Sequence, residues 1–262
     1  MRMTIIKGQR TYIFIYGSTM TSKNVFDLLV LIARPAAGKS EIIDFIKRTT
    51  LENRRGQFHL GKLDEIDDFP MLWTWFEEDA LLEKMGHPRL HTDGDGYFLH
   101  QYQWDLLIER MELEYQKRIR DIPSYTEDYS TLVEFSRGSE HGGYRSAFEH
   151  FSPQILSKMS VLYIDVPWEE SLRKNRKRFN PEKPDSILEH ALPDGKLERL
   201  YKETDWPTFS SPDPTHLLVK GVRIPYVVFE NHDDVTSQKG QALESRLTER
   251  SKALWSIRNL DL

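Results

Sequence analysis

The stretch best suited to chemistry is ARPAAGKS, residues 33–40. It has the spacing of the phosphate-binding loop G-x-x-x-x-G-K-[ST], with Ala33 in place of the first glycine. In such a loop, backbone N–H groups surround phosphate oxygens and the lysine, here Lys39, brings a positive charge to them. Gly38 is the essential glycine, because a side chain there would occupy the place of the phosphate. Ala33 lies farther away, so the pattern predicts that the loop still binds a nucleotide.

A nucleotide bound this way requires a divalent cation. Ser40 is expected to ligate Mg²⁺, and Glu134 in a later strand is expected to approach the water shell of the ion. Glu134 would need a cationic partner in a buried position, and Lys39 or Arg137 could serve. The chain has no N-K-x-D sequence for guanine, so ATP with Mg²⁺ is the predicted cofactor. The predicted nucleotide contacts in the loop are Arg34, Pro35, Ala36, Ala37, Gly38, Lys39, Ser40 and Glu41.

A basic run, RKNRKR, occupies residues 173–178 and holds five cations in six residues. Phosphoryl transfer requires charge neutralisation, and guanidinium groups suit phosphate oxygens because their donors form a rigid fork. We therefore expect Arg173 and Arg176 to act on the transferred group and Arg178 to contact the nucleotide. The alternative is a solvated basic helix face. Arg137, which follows an apolar strand, is a further catalytic candidate, although it could instead pair with a surface carboxylate.

An acidic run, LDEIDD, spans residues 63–68. A carboxylate at the catalytic edge of the sheet could accept the proton of an acceptor hydroxyl. Asp64 or Glu65 is the candidate base, with a solvated acidic loop as the alternative. The cluster HPRLHTDGDG, residues 87–96, matches no metal-binding spacing, so a metal site is not expected there.

The elements that must position these residues alternate between apolar strands and helices, which predicts a parallel sheet with right-handed crossovers. The expected fold class is three-layer α/β with five parallel strands. The predicted strands are residues 28–33, 57–61, 131–136, 161–166 and 224–231. One domain, 1–262, would carry an N-terminal extension (1–24), a helical substrate-side insertion (62–130) and a lid-like segment (173–222). The expected lid would hold one short helix within residues 190–203.

Several of these features occur together in a known group. The loop, the strand VLYIDV with a proline and arginine-bearing helix after it, FSRG at 135–138 and FEN at 229–231 resemble the nucleoside-monophosphate-kinase-like group of P-loop NTPases. The resemblance covers about half of the chain, and the 62–130 insertion lies outside it. It implies a kinase fold, a phosphoryl-clamping lid, and a loop near Asn231 that cradles adenine. Similar kinases begin near Met20, so residues 1–19 are expected to be an appendage or an added edge strand.

Composition limits the other classes of function. The chain has no cysteine and a formal net charge of −5, which argues against disulfides, Cys-based zinc sites and general nucleic-acid binding. No apolar run reaches the length of a membrane helix, and a cytoplasmic location is expected. The leading hypothesis is an ATP-dependent kinase acting on a nucleotide or another small molecule. The alternative is a nucleotide-binding regulatory protein with slow or no hydrolysis. The sequence indicates neither the acceptor nor the oligomeric state.

Overall fold

The computed structural model describes residues 24–178, 182 and 191–260. In this part of the chain, one sheet of six strands has the order β2-β3-β1-β4-β6-β5. Five strands run parallel, and β5 pairs antiparallel with β6 at one edge. The strands are β1 (Leu28–Ile32), β2 (Lys62–Asp67), β3 (Tyr129–Phe135), β4 (Met159–Asp165), β5 (His216–Val219) and β6 (Val222–Glu230).

Helices cover both faces of the sheet and make three layers. The longer ones are α1 (Lys39–Arg48), α3 (Asp68–Lys84), α4 (Tyr102–Asp121), α6 (Gly143–Glu149), α8 (Trp168–Arg178), α9 (Asp194–Tyr201) and α12 (Gly240–Leu260). The short ones are α2 (Leu51–Asn53), α5 (Tyr125–Asp128), α7 (Pro153–Leu156), α10 (Trp206–Ser210) and α11 (Val235–Gln238), with a π-helical turn at Arg54–Phe58 and a 3₁₀ turn at Ser139–His141. None of the described helices is long and apolar enough to cross a membrane.

Each face of the sheet has its own apolar core. One core joins α4, α6, α7 and α10 to the sheet, with Met111, Phe148 and Trp206 among its buried side chains. The opposite core joins α1 and α12 to the sheet and includes Ile42 and Leu254. The central strand β1 is buried along its full length, as expected of a parallel strand covered on both faces.

The sheet differs from the predicted one in two places. Residues 57–61, predicted as a strand, form the end of the π-helical turn and the connection after it, while the next six residues form β2. Phe58 and Leu60 are buried, so the apolar alternation reflects packing of a turn. The sheet also gains β5, which makes it six-stranded and mixed instead of five-stranded and parallel.

The predicted segments shift accordingly. The helical insertion begins after β2, at Asp68, and not at residue 62. Of the lid-like segment 173–222, the part from Trp206 onward belongs to the main core and the sheet, because Trp206 and Phe209 are buried there and β5 pairs with β6. The expected short helix is α9, with Leu197 and Leu200 buried. The N-terminal extension, apart from residue 24, and His190 lie outside the described residues.

Candidate active site

The 33–40 loop joins the carboxyl end of β1 to the start of α1. Two of its residues have left-handed backbone angles, Ala36 with φ 58° and Gly38 with φ 109°. No side chain caps α1, which begins immediately after Gly38. Among the described residues, the backbone N–H groups of Ala36, Ala37 and Gly38 have no protein acceptor. The loop therefore offers a group of unused backbone donors at the positive end of a helix.

Glycine is required at position 38 for two reasons. Its φ lies in the region that side chains disfavour, and an added Cβ would lie 2.5 Å from the hydroxyl oxygen of Thr236. The steric limit thus comes from the protein on one side of the loop as well as from any phosphate on the other.

Lys39 is almost fully buried at the first position of α1. Its Nζ donates to the hydroxyl of Ser136 at 2.8 Å and lies 3.8 Å from a carboxylate oxygen of Glu134. Both partners come from the end of β3 and the connection after it. A desolvated lysine held between a hydroxyl and a carboxylate is fixed in place beside the open donors of the loop.

Two carboxylates lie side by side at this edge of the sheet. Asp67, the last residue of β2, is in register with Glu134 of β3. Burial, aided by the negative charges of Glu134 and Asp68, raises the pKa of Asp67 to about 7. Burial also raises the pKa of Glu134, and Lys39 opposes that shift. The pair holds more negative charge than Lys39 can offset, which favours protonation or a bound cation.

Arg137 and Asp68 form a buried pair next to this site. The guanidinium donates to Asp68 at 2.5 Å and to the carbonyls of Ser136 and Trp104. It also lies over the Trp104 ring, 5.2 Å from the centroid. Only 2% of Arg137 is exposed. Arg137 is part of the wall of the loop cavity, and its hydrogen bonds hold the start of α3 to α4.

The basic helix α8 presents only some of its arginines to the site. Arg173 and Arg178 line the cavity beside the loop, together with Lys174 and Lys177. The Arg178 charge acts on Glu134. Arg173 pairs with Glu170 and Asp234. Arg176 is absent from the cavity wall and pairs with Asp194 at 2.6 Å, so the structure separates it from the other two.

The two carboxylates predicted as the base do not reach the cavity. Asp64 bonds Arg118 at 2.5 Å and accepts the Tyr125 hydroxyl at 2.8 Å. Glu65 pairs with Lys47 on the surface. Both belong to the body of β2 and not to its end, whereas Asp67 and Asp68 line the cavity. The last two residues of the acidic run, Asp67 and Asp68, therefore do belong to the site.

Asn231 and Arg34 hold the loop from outside. Asn231 is fully buried and donates to the Ala37 carbonyl and to the Thr236 hydroxyl. Arg34 donates to the carbonyls of Val166, Tyr201 and Lys202. Its side chain thereby connects the loop to the end of β4 and to the end of α9. The contacts of both residues support a positioning role for the loop.

Two cavities share one wall. The first, about 570 Å³, is lined by the 33–40 loop, Asp67, Glu134 and α8. The second, about 490 Å³, lies between α3, α4, α9 and the connection from α3 to α4. The residues that line both are Phe69, Leu72, Trp104, Leu192 and Tyr201. A small molecule in the second cavity would thus lie next to a phosphate held by the loop. We call the first the loop cavity and the second the aromatic cavity.

The histidine- and aspartate-rich connection, residues 87–96, is organised by one buried carboxylate. Asp79 accepts the backbone N–H groups of Leu90, His91 and Thr92 and the Thr92 hydroxyl. Within the described ranges, no cluster of three or more His, Cys, Asp or Glu residues could hold a metal ion. The connection forms one wall of the aromatic cavity.

Sequence reasoning missed several side chains of the site. Asp67 and Asp68 lay inside the acidic run, and correct placement of β2 would have identified them, because ligands bind where parallel strands end. Nothing in the sequence pattern marked Ser136 or Trp104 as a residue of the site. Ser136 is one of many serines in the chain, and Trp104 belongs to the apolar stripe of α4, which reads as core.

No family model matches the chain, and no curated protein matches it. Among solved structures, an unliganded sugar kinase from Janibacter sp. HTCC2649 is similar at 16% identity and a TM-score of 0.38, covering 88% of this chain and 95% of its own. TT1252 from Thermus thermophilus is similar at 14% identity and a TM-score of 0.35, covering 88% and 97%. Both TM-scores are too low for either likeness to indicate a function.

Proposed function

We propose that this protein is a Mg²⁺-dependent phosphotransferase of the P-loop type, which moves the γ-phosphoryl group of ATP to a hydroxyl of a small molecule. One observation carries the proposal. The unused N–H groups of the 33–40 loop and the buried Lys39 face the Asp67–Glu134 pair in one cavity, and a second cavity adjoins it.

The loop cavity suits a triphosphate. Backbone donors at an uncapped helix start favour anions, and Lys39 places its charge beside them. Arg173 and Arg178 line the same cavity, where guanidinium groups could neutralise charge that develops during transfer. Arg176, directed at Asp194, is not assigned a role in transfer.

The oxygen donors also fit a magnesium ion. Mg²⁺ in nucleotide sites is bound by one or two carboxylates, phosphates and several waters. Ser40 and Glu134 would hold it, since Ser40 is exposed at the start of α1 and Glu134 belongs to a carboxylate pair with excess negative charge. When bound, the ion would neutralise negative charge on the phosphate oxygens.

In the transfer step, Asp67 acts as the general base. The acceptor oxygen attacks the γ-phosphorus, an O–P bond forms, and the bond from that phosphorus to the β,γ-bridging oxygen breaks to release ADP. The hydroxyl proton passes to the Asp67 carboxylate and then to water. Asp67 is the suitable carboxylate because Asp68 is held by Arg137, whereas the only hydrogen bond described for the Asp67 side chain caps α3 at Phe69.

Replacement of Lys39 tests the proposal. We expect Lys39→Ala to weaken ATP binding about tenfold or more and to abolish acceptor-dependent ADP release, measured by calorimetry and a coupled assay. Lys47→Ala is the matched control, because Lys47 lies on the same helix and pairs with Glu65 on the surface. Unchanged ATP affinity in Lys39→Ala would overturn the nucleotide site. ATP binding with no acceptor-dependent turnover would instead favour a regulatory protein.

A further inference from the structure

The aromatic cavity, which adjoins the loop cavity, is lined largely by aromatic side chains. Ring faces and edges from α3, α4 and the connection between them surround it: Phe69, Trp73, Phe76, Tyr97, Phe98 and Trp104. These rings also pack on one another, with Phe98 at 4.7 Å from Trp104 and 6.2 Å from Phe76 between centroids. Its volume of about 490 Å³ is in the range of small-molecule sites.

The cations that line this cavity are already committed to protein groups. Lys196 donates to the carbonyls of Asp95 and Gly96. Arg199 pairs with Glu140 at 2.8 Å. Arg89, the third cation, pairs with Glu83 and bonds Thr92. A phosphate or carboxylate on a bound molecule would have to compete with Glu140, with Glu83 or with the two carbonyls that accept from Lys196.

The remaining polar groups near the common wall are equally unsuited to an anion. His141 is buried against the Trp104 ring, 3.9 Å between centroids, and burial lowers its pKa to about 3. It is therefore a neutral ring at physiological pH. Arg137, which donates to the Trp104 carbonyl at this wall, is held by Asp68 and two carbonyls. Glu140, also in the lining, is paired with Arg199, so the two charges offset each other.

We infer that the aromatic cavity binds a neutral, planar aromatic alcohol as the phosphoryl acceptor, in preference to a sugar or to an acceptor that carries its own phosphate. This inference rests on the proposed function for the transfer but not for the binding. A ring would stack on the aromatic walls. The hydroxyls of a sugar would lose water and gain few partners, since Arg89, Lys196 and Arg199 are engaged by protein groups and His141 offers only one unpartnered ring nitrogen, the buried Nδ1. The hydroxyl would point across the common wall toward the loop cavity.

Binding is the first test, because it needs no turnover. The full-length protein is titrated with 2-naphthylmethanol, D-glucose and AMP, with a non-hydrolysable ATP analogue present, and heat is measured by calorimetry. We expect 2-naphthylmethanol to bind and Trp73→Ala to weaken it about tenfold. Trp255→Ala is the matched control, since Trp255 stacks on His59 away from both cavities. Equal weakening by both variants, or preferred binding of glucose, would overturn the inference.

The preference of the aromatic cavity for a neutral ligand can be tested separately. In wild type, 4-hydroxymethylbenzoate should bind at least about tenfold more weakly than benzyl alcohol, because its carboxylate must compete with the protein groups that already accept from Arg89, Lys196 and Arg199. Glu140→Gln removes the partner of Arg199 and should reduce that difference. If wild type binds the anion as well as the neutral alcohol, the inference fails. This variant changes a rim residue, so it stays informative even if Trp73→Ala folds poorly.

Turnover separates the two proposals. With Mg²⁺ and ATP, we expect 2-naphthylmethanol to give a kcat/KM about 100-fold above that of glucose or AMP. A preferred sugar or AMP would leave the phosphotransferase intact and overturn the aromatic acceptor. Aromatic binding that depends on Trp73, without ADP release from any alcohol, would support the cavity assignment and count against the phosphotransferase.

Discussion

At the scale of single residues, the acidic run shows how two similar carboxylates acquire different roles. Asp64 and Asp67 lie three residues apart in β2. Asp64 is satisfied by Arg118 and Tyr125, whereas Asp67 lies beside Glu134 at the edge of the loop cavity. The environment, and not the residue type, therefore decides which of the two carboxylates is held by protein partners and which lies at the loop cavity.

Matched substitutions test this difference. We expect Asp67→Asn to lower kcat about 10²- to 10⁴-fold, the usual contribution of a general base, with ATP affinity retained. Asp64→Asn should leave kcat nearly unchanged and lower the free energy of unfolding by about 1 kcal/mol, because it weakens an ion pair with Arg118. The measurements are steady-state kinetics and chemical denaturation. A larger loss of kcat in Asp64→Asn than in Asp67→Asn would restore the base predicted from the sequence.

His141 provides a residue-scale prediction for pH. Burial lowers its pKa in the folded state to about 3, against an ordinary value of 6.5. The unfolded chain therefore binds the extra proton between these two values, and His141 costs stability progressively as pH falls below 6.5. At pH 4.5 the cost should be about 2–3 kcal/mol relative to pH 7.

His141→Phe should remove this cost while keeping the stack on Trp104. The difference in unfolding free energy between variant and wild type should thus move in favour of the variant from pH 7 to pH 4.5, in urea titrations followed by circular dichroism. A difference that is constant across this range would mean that His141 titrates normally in the folded protein.

At the scale of elements, the sequence predicted four of the six described strands close to their observed positions. β1, β3, β4 and β6 are buried runs of apolar residues, and such runs are hard to mistake. β2 was misplaced because it is a polar edge strand, in which only Ile66 is fully buried. The preceding turn buries Phe58 and Leu60 in alternation, so it imitates a strand.

The hairpin of β5 and β6 had a readable signal that the prediction did not use. Lys220 and Gly221 connect the strands with φ values of 48° and 79°, which are typical of a two-residue hairpin turn. The candidate site, too, was predicted only in part. The loop residues were identified from spacing, whereas the partners Asp67, Ser136 and Trp104 depend on strand ends and helix packing that spacing does not encode.

At the scale of the whole molecule, one side chain connects the 33–40 loop to the wall of the aromatic cavity. Arg34 reaches from the loop to the carbonyls of Tyr201 and Lys202 at the end of α9. α9 in turn contributes lining residues of the aromatic cavity, among them Lys196 and Leu200. An ordered loop should therefore stabilise α9 in place, which would couple the occupancy of one cavity to the shape of the other.

Residues 191–205 lie in the part of the predicted lid-like segment that precedes Trp206. Hydrogen exchange of their backbone amides tests this coupling. We expect protection of α9 amides to rise when a non-hydrolysable ATP analogue and Mg²⁺ bind, because a short helix with few buried side chains opens more easily than the sheet. Arg34→Ala should reduce this rise while the amides of β1 and β4 stay protected. Lys202→Ala, which removes only a surface pair with Glu198, should keep the wild-type response. Equal protection of α9 with and without nucleotide in wild type would make it a static wall, and Arg34 would then serve only to hold the loop.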